Sequence, residues 1–166
     1  MNALIIFGAK YLIYILLVFA AIYFFLQPRE KQKEIAIFGI IVLPVTYIAA
    51  KLSGLFYYDP RPFVIGHFTP LIPHIADNGF PSDHALLGSA VATVAFYFNK
   101  KWGVFLFLLT VLIGAARVLA EIHHAVDILG SMVIAIAVAI IFAKFVFEQK
   151  YFKQIVGKFI TKPARK

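Results

Sequence analysis

The chain has 166 residues, of which 62% are hydrophobic, 16% aromatic and only 14% charged, and its mean hydropathy is +0.88. A soluble globular protein carries roughly 25% charged residues, so composition excludes that class and points to a single polytopic membrane domain. The net charge of +8 does not indicate nucleic acid, because the basic residues sit between and after apolar runs, as membrane topology requires; with no cysteine, disulfides and thiol chemistry are also excluded.

A spanning helix needs about 20 apolar residues, and the sequence predicts an all-α bundle of about five. Residues 3–26 read as the first span, retained because Gln27-Pro28-Arg29 follows it instead of a small-residue cleavage site. A polar turn over 27–34 leads to a second span at about 35–56, with Pro44 as an expected kink and Lys51 near its far end. Residues 57–81 contain Pro60, Pro62, Pro70 and Pro73 and cannot form one helix, so they predict an interfacial or partly re-entrant loop. The third span runs from Ser82 to Phe98, with Ser82 or Asp83 as its N-cap. Asn99-Lys100-Lys101 makes the next turn. The fourth span covers about 102–120 and the fifth 125–147, leaving 150–166 as a basic tail.

With five spans, twelve of the sixteen lysines and arginines fall on one side; Lys10, Lys51, Arg61 and Arg117 fall on the other. The positive-inside rule makes the first side cytoplasmic and turns the N-terminus outward. The domain is thus expected over 1–149, with a cytoplasmic tail over 150–166.

The concentrated ionisable chemistry lies between residues 51 and 127, on that outer side. His123 and Asp127 are four apart, a helical spacing that brings them onto one face, where the carboxylate fixes the imidazole tautomer and frees the other nitrogen to attack. His84 is positioned as a proton donor. Lys51, Arg61 and Arg117 surround an anion, with arginine suited to paired phosphate oxygens. Ser82 and the free amides at the start of the third span add a helix N-terminal anion site. This set performs phosphoryl transfer with no metal or other cofactor required.

At these residues the chain resembles the type-2 phosphatidic acid phosphatase superfamily, whose signature is K-x6-R-P, P-S-G-H and S-R-x5-H-x3-D. The third motif reads Ala116-Arg117-x5-His123-x3-Asp127, with alanine for serine, and the second Pro81-Ser82-Asp83-His84, with aspartate for glycine. In the first, nine residues separate Lys51 from Arg61-Pro62. The resemblance implies a phosphohistidine mechanism: His123 attacks, Asp127 orients it, His84 protonates the leaving oxygen, and Lys51, Arg61, Ser82 and Arg117 hold the phosphoryl oxygens. The Phe80-to-Ala85 variant, the Ala116-Arg117 pair and the small size look most like bacterial undecaprenyl-diphosphate phosphatases, which recycle the carrier lipid of wall synthesis at the outer face. With the same residues, phosphatidate or phosphatidylglycerol phosphate is the alternative substrate. Other classes are a phospholipid binder or transporter and a degenerate structural relative.

The remaining polar residues have plainer readings. His124 lacks a motif position and is read as a neighbour, with substrate contact the alternative. His67 and His74 read as solvent or headgroup contacts, or else as metal ligands with Asp77. Asp83 caps the third span or modulates His84. Glu121 is expected to pair with Arg117 or Lys51. The expected partners are a long-chain lipid phosphate and membrane lipids.

Overall fold

The computed structural model describes residues 1–149 and Gly157. The described chain is helical, without strands: α1 (Asn2–Lys10), α2 (Leu12–Phe25), α3 (Arg29–Phe56), the single turn α4 (Pro62–Ile65), α5 (Asp83–Phe98), α6 (Lys100–Leu119) and α7 (Ala125–Phe142), closed by a π-turn over Ala143–Phe147. Three helices are long and apolar enough to cross a membrane: α3, α6, and α7 with its π-turn. The α1–α2 pair makes a fourth if counted as one bent span. This agrees with a multi-pass membrane protein. α5 has 16 residues and rises about 24 Å, short of a hydrocarbon core of about 30 Å. The basic tail falls outside the described residues apart from Gly157.

α5 is the central helix and packs against α3, α6 and α7. Its sequence explains this, because Ala85, Gly88, Ser89, Ala90, Ala92, Thr93 and Ala95 are all buried. Small residues let helices approach where lipid supplies no hydrophobic drive between them. Leu16, Phe38, Val42, Leu106 and Ile113 fill the core around it. At the end far from the polar motifs, Phe38 stacks on Tyr97 with ring centroids 4.7 Å apart. The outward sides of α3, α6 and α7 expose Ile40, Leu55, Leu108, Leu129 and Val133, as a lipid-facing surface requires.

Three expected boundaries move. The first span is not continuous: α1 and α2 meet at Tyr11 with a bend of 47°. α1 lies against α6 so closely that a Cβ added at Gly8 would stand 2.8 Å from Cβ of Ala116. The Ala9 carbonyl at the break accepts from Arg117 Nη1 at 3.2 Å. The polar turn before α3 is shorter than expected, since Pro28 is the N-cap and helix resumes at Arg29. Gln32 Nε2 donates back to the Gln27 carbonyl at 2.8 Å, and Gln27 Nε2 to the Tyr23 carbonyl at 3.0 Å, so side chains close the tight turn. Pro44 lies inside the unbroken α3. The α5–α6 turn is tighter than expected, since α6 already begins at Lys100: Asn99 caps it, its Oδ1 accepting from the amides of Lys101 and Trp102 at 3.0 and 3.3 Å.

Candidate active site

The loop over 57–82 lies against the ends of α3, α5 and α6, and Asn78 holds it together. Its Oδ1 accepts from the amides of Asp59 and Phe80 at 2.9 and 3.0 Å, while Nδ2 donates to the carbonyls of Gly54 and Tyr57 at 3.0 Å each. Both donors and both lone pairs of the amide are thereby used. Beneath the loop is a cavity of about 480 Å³ whose wall includes Lys51, Arg61, His74, His84, Arg117 and His123.

His123 lies at the floor of this cavity, in the turn between α6 and α7, and is only 2% exposed. Nδ1 is 3.0 Å from Asp127 Oδ2; the expected contact is made, although His123 lies in the turn before α7, whose N-cap is His124, and not on the helix. Nε2 lies 3.3 Å from both Arg61 Nη1 and Arg117 Nη2. A guanidinium only donates, so Nε2 is the acceptor and the proton is on Nδ1, donated to Asp127. Burial and then the charges of Arg117 and Arg61 push the His123 pKa down to about 3, so the ring is neutral near pH 7. The side chain therefore presents an unprotonated nitrogen between two cations.

Each neighbour is held in turn. Arg61 Nε donates to Asp77 Oδ1 at 2.6 Å and Nη1 to the Ile122 carbonyl at 2.7 Å. Arg117 is anchored by the Ala9 carbonyl, and its Nε is buried with no partner among the described residues. Asp127, fully buried, accepts a second bond at Oδ2 from the His124 amide at 2.9 Å, while Oδ1 has none. Ser131 Oγ lies 2.7 Å from the Asp127 carbonyl and 3.0 Å from that of Ser82, tying α7 to the start of α5. Gly79 fits here for lack of a Cβ, which would lie 3.0 Å from Asp127 Oδ2 and from the Asp59 carbonyl.

The structure brings Lys51, Arg61, His84, Arg117 and His123 to one cavity, with Asp127 behind His123. Ser82 is the backbone N-cap of α5 and fully buried beside the wall formed by Pro81, Asp83 and His84; its hydroxyl has no partner among the described residues. Lys51 reaches the cavity, so the nine-residue spacing to Arg61 does not exclude it. It pairs with Asp83 at 3.3 Å, both side chains more than half exposed, a contact contributing about 0–1 kcal/mol. Glu121 does not pair with Arg117 or Lys51; it is exposed in the turn with φ 60°.

Sequence reasoning missed two contributors, Asn78 and Asp59, and named His74 and Asp77 without placing them at the cavity. His74 is in the cavity wall, its ring centroid 6.3 Å from that of His123. Asp59 Oδ2 meets His124 Nδ1 at 2.9 Å, so His124 bonds to the loop and is absent from the cavity wall. Burial raises the Asp59 pKa against the lowering effect of that hydrogen bond. Asp59, His124 and Asp127 have ligand-type atoms within 4.8 Å of one another, among the described residues the group with metal-binding potential; of these atoms Asp59 Oδ2 and His124 Nδ1 bond each other. The signal available in the sequence was Asp77-Asn78-Gly79, a turn-forming run.

The family described as the PAP2 superfamily matches residues 35–151. "Undecaprenyl-diphosphatase BcrC" of Bacillus subtilis (strain 168) is 38% identical over 119 residues, spanning 72% of this chain and 60% of that protein. "Putative undecaprenyl-diphosphatase YbjG" of Escherichia coli (strain K12) is 31% identical over 133 residues, 80% of this chain and 67% of that one. "Bacitracin transport permease protein BcrC" of Bacillus licheniformis is 28% identical over 141 residues, covering 84% and 69%. Among solved structures, the crystal structure of Aquifex aeolicus LpxE aligns with a TM-score of 0.58 at 30% identity, covering 84% of this chain and 81% of that chain.

Proposed function

The chain belongs to the PAP2 superfamily, and from that premise we propose that it is a membrane lipid phosphatase removing the terminal phosphate of a long-chain polyprenyl diphosphate, undecaprenyl diphosphate in particular. The observation that carries this reading is His123: a neutral imidazole with Nδ1–H on Asp127 and its Nε2 lone pair between Arg61 and Arg117.

In the proposed reaction Nε2 forms a bond to the terminal phosphorus as the bond to the bridging oxygen breaks. His84, in its protonated form, gives that oxygen its proton and becomes neutral, and undecaprenyl phosphate leaves. His84 then takes a proton from water, whose oxygen attacks phosphorus, and the N–P bond breaks to return neutral His123 and inorganic phosphate. Arg61 and Arg117 counter the charge of the transferring group, with Lys51 at the rim. The unpartnered Ser82 hydroxyl and Arg117 Nε are hydrogen-bond capacity that an anion would fill. Asp127 stabilises the imidazolium formed as phosphorus bonds. None of these steps calls on a metal. The product would re-enter wall synthesis at the outer face, the side on which the positive-inside rule sets the cavity when five spans are counted.

Phosphate release by the detergent-purified protein with chelator present, compared among undecaprenyl diphosphate, phosphatidate and phosphatidylglycerol phosphate, tests this beside His123→Ala. The expected result is a preference for the diphosphate, lost in the variant. A preference for a glycerophospholipid overturns the substrate. Full activity of the variant overturns the mechanism, and lipid binding without histidine-dependent release favours a binder.

A further inference from the structure

The charged groups around the cavity are mostly matched: Arg61 with Asp77, Lys51 with Asp83, His123 with Asp127. Two imidazoles in the wall are not. His84 makes no side-chain hydrogen bond among the described residues, and the motif already gives it a role. His74 bonds only to the carbonyl of its own neighbour, Ile75, from Nδ1 at 3.3 Å. If Nδ1 is the donor, Nε2 is left without a protein partner. The ring stands edge to face with His123 at 74°, half-buried on the loop that Asn78 clips down. Burial and the nearby Arg61 hold its pKa below the ordinary histidine value. A polyanion between it and the arginines reverses that second influence.

We propose that His74 is a substrate-binding residue for the second phosphate of a diphosphate, the one that stays on the lipid; the inference rests on the phosphatase reading above. Arg61 and Arg117 both touch His123 Nε2 and so converge on the phosphorus it attacks. Attack brings that phosphorus within roughly 3–3.5 Å of Nε2. A ring centred 6.3 Å from the His123 ring, in the wall of the same cavity, is within reach of a phosphate bonded to the one under attack. A monoester places a carbon chain there and gains nothing from an imidazole, so His74 favours diphosphates over phosphate monoesters.

The test measures kcat and KM of the wild type, His74→Ala and His74→Lys on undecaprenyl diphosphate and on phosphatidate. Losing one hydrogen bond to a charged group raises KM for the diphosphate roughly tenfold, with a several-fold smaller change for phosphatidate. Lysine, which keeps a cation donor, recovers most of the diphosphate KM. Equal losses on both substrates, or no change on either, overturn the inference while leaving the phosphatase reading intact. A wild type that releases no phosphate from the diphosphate overturns the substrate reading and this inference with it.

Discussion

Asp127→Asn separates charge from geometry at the nucleophile. In the native site both the His123 ring and the His124 amide donate to one oxygen, Oδ2, and Oδ1 is buried with no partner. An asparagine can set its carbonyl oxygen at the Oδ2 position and keep both bonds. The ring tautomer therefore survives, and what disappears is the negative charge 3.0 Å from Nδ1. A hydrogen bond to a charged group is worth about 1.5–3 kcal/mol, and a unit charge pair at about 4 Å about 4 kcal/mol at an effective dielectric of 20. A loss of about 2–4 kcal/mol in the transition state is a fall in kcat of roughly 30- to 1000-fold. KM should hardly move, because Asp127 lies behind His123. Asp127→Ala also removes the acceptor for Nδ1–H and should be slower still. Phosphate release from undecaprenyl diphosphate in detergent, under single-turnover and steady-state conditions, measures all three proteins. An asparagine variant within threefold of wild-type kcat, or one whose loss lies wholly in KM, refutes the reasoning.

His123, depressed to about 3, stays unprotonated down to acid pH, so the limb of kcat/KM it sets should lie below pH 5. Arg117→Gln removes a cation that depresses it and should move that limb upward in the residual activity; an unmoved limb contradicts the assignment. Because the folded state binds this proton less tightly than the unfolded chain does, His123's contribution to stability is full above about pH 6.5 and declines as pH falls from there toward about 3. Asn78→Ala deletes four hydrogen bonds at about 0.5–1.5 kcal/mol each; part of this is recovered from water, leaving a loss of about 2–4 kcal/mol, read as a lower melting temperature in detergent. Gly79→Ala pushes a methyl to 3.0 Å from Asp127 Oδ2 and should reduce kcat at least tenfold in a protein that still elutes as a folded species.

What could be read in advance was what helical spacing carries. Arg117, His123 and Asp127 stand at intervals that a helix end and a short turn convert directly into contact, and Ser82 lies where a helix had to start. The boundaries of α5 followed for the same reason, while α6 begins at Lys100 instead of Trp102. The loop was a different matter. Its path depends on one amide satisfied by four backbone groups spread from Gly54 to Phe80, and no periodicity records such a clasp. Asp77 and His74 were therefore in view as residues but not as parts of the cavity. The break at Tyr11 was hidden too: it accompanies a close approach of Gly8 to Ala116, 108 residues along the chain, which no local pattern records.

The Ala9 carbonyl has a consequence for how this protein is made. It secures Arg117 from the opposite end of the sequence, and the other contacts at the nucleophile join Arg61 to His123 and Asp59 to His124. A ribosome that has released α1 through α5 has produced the loop, His84 and two of the three cations, but no nucleophile and no arginine to fill the Ala9 carbonyl. In the proposed mechanism the partly made chain has no group to attack phosphorus. Reactivity there requires α6 and α7 to fold back beside α1.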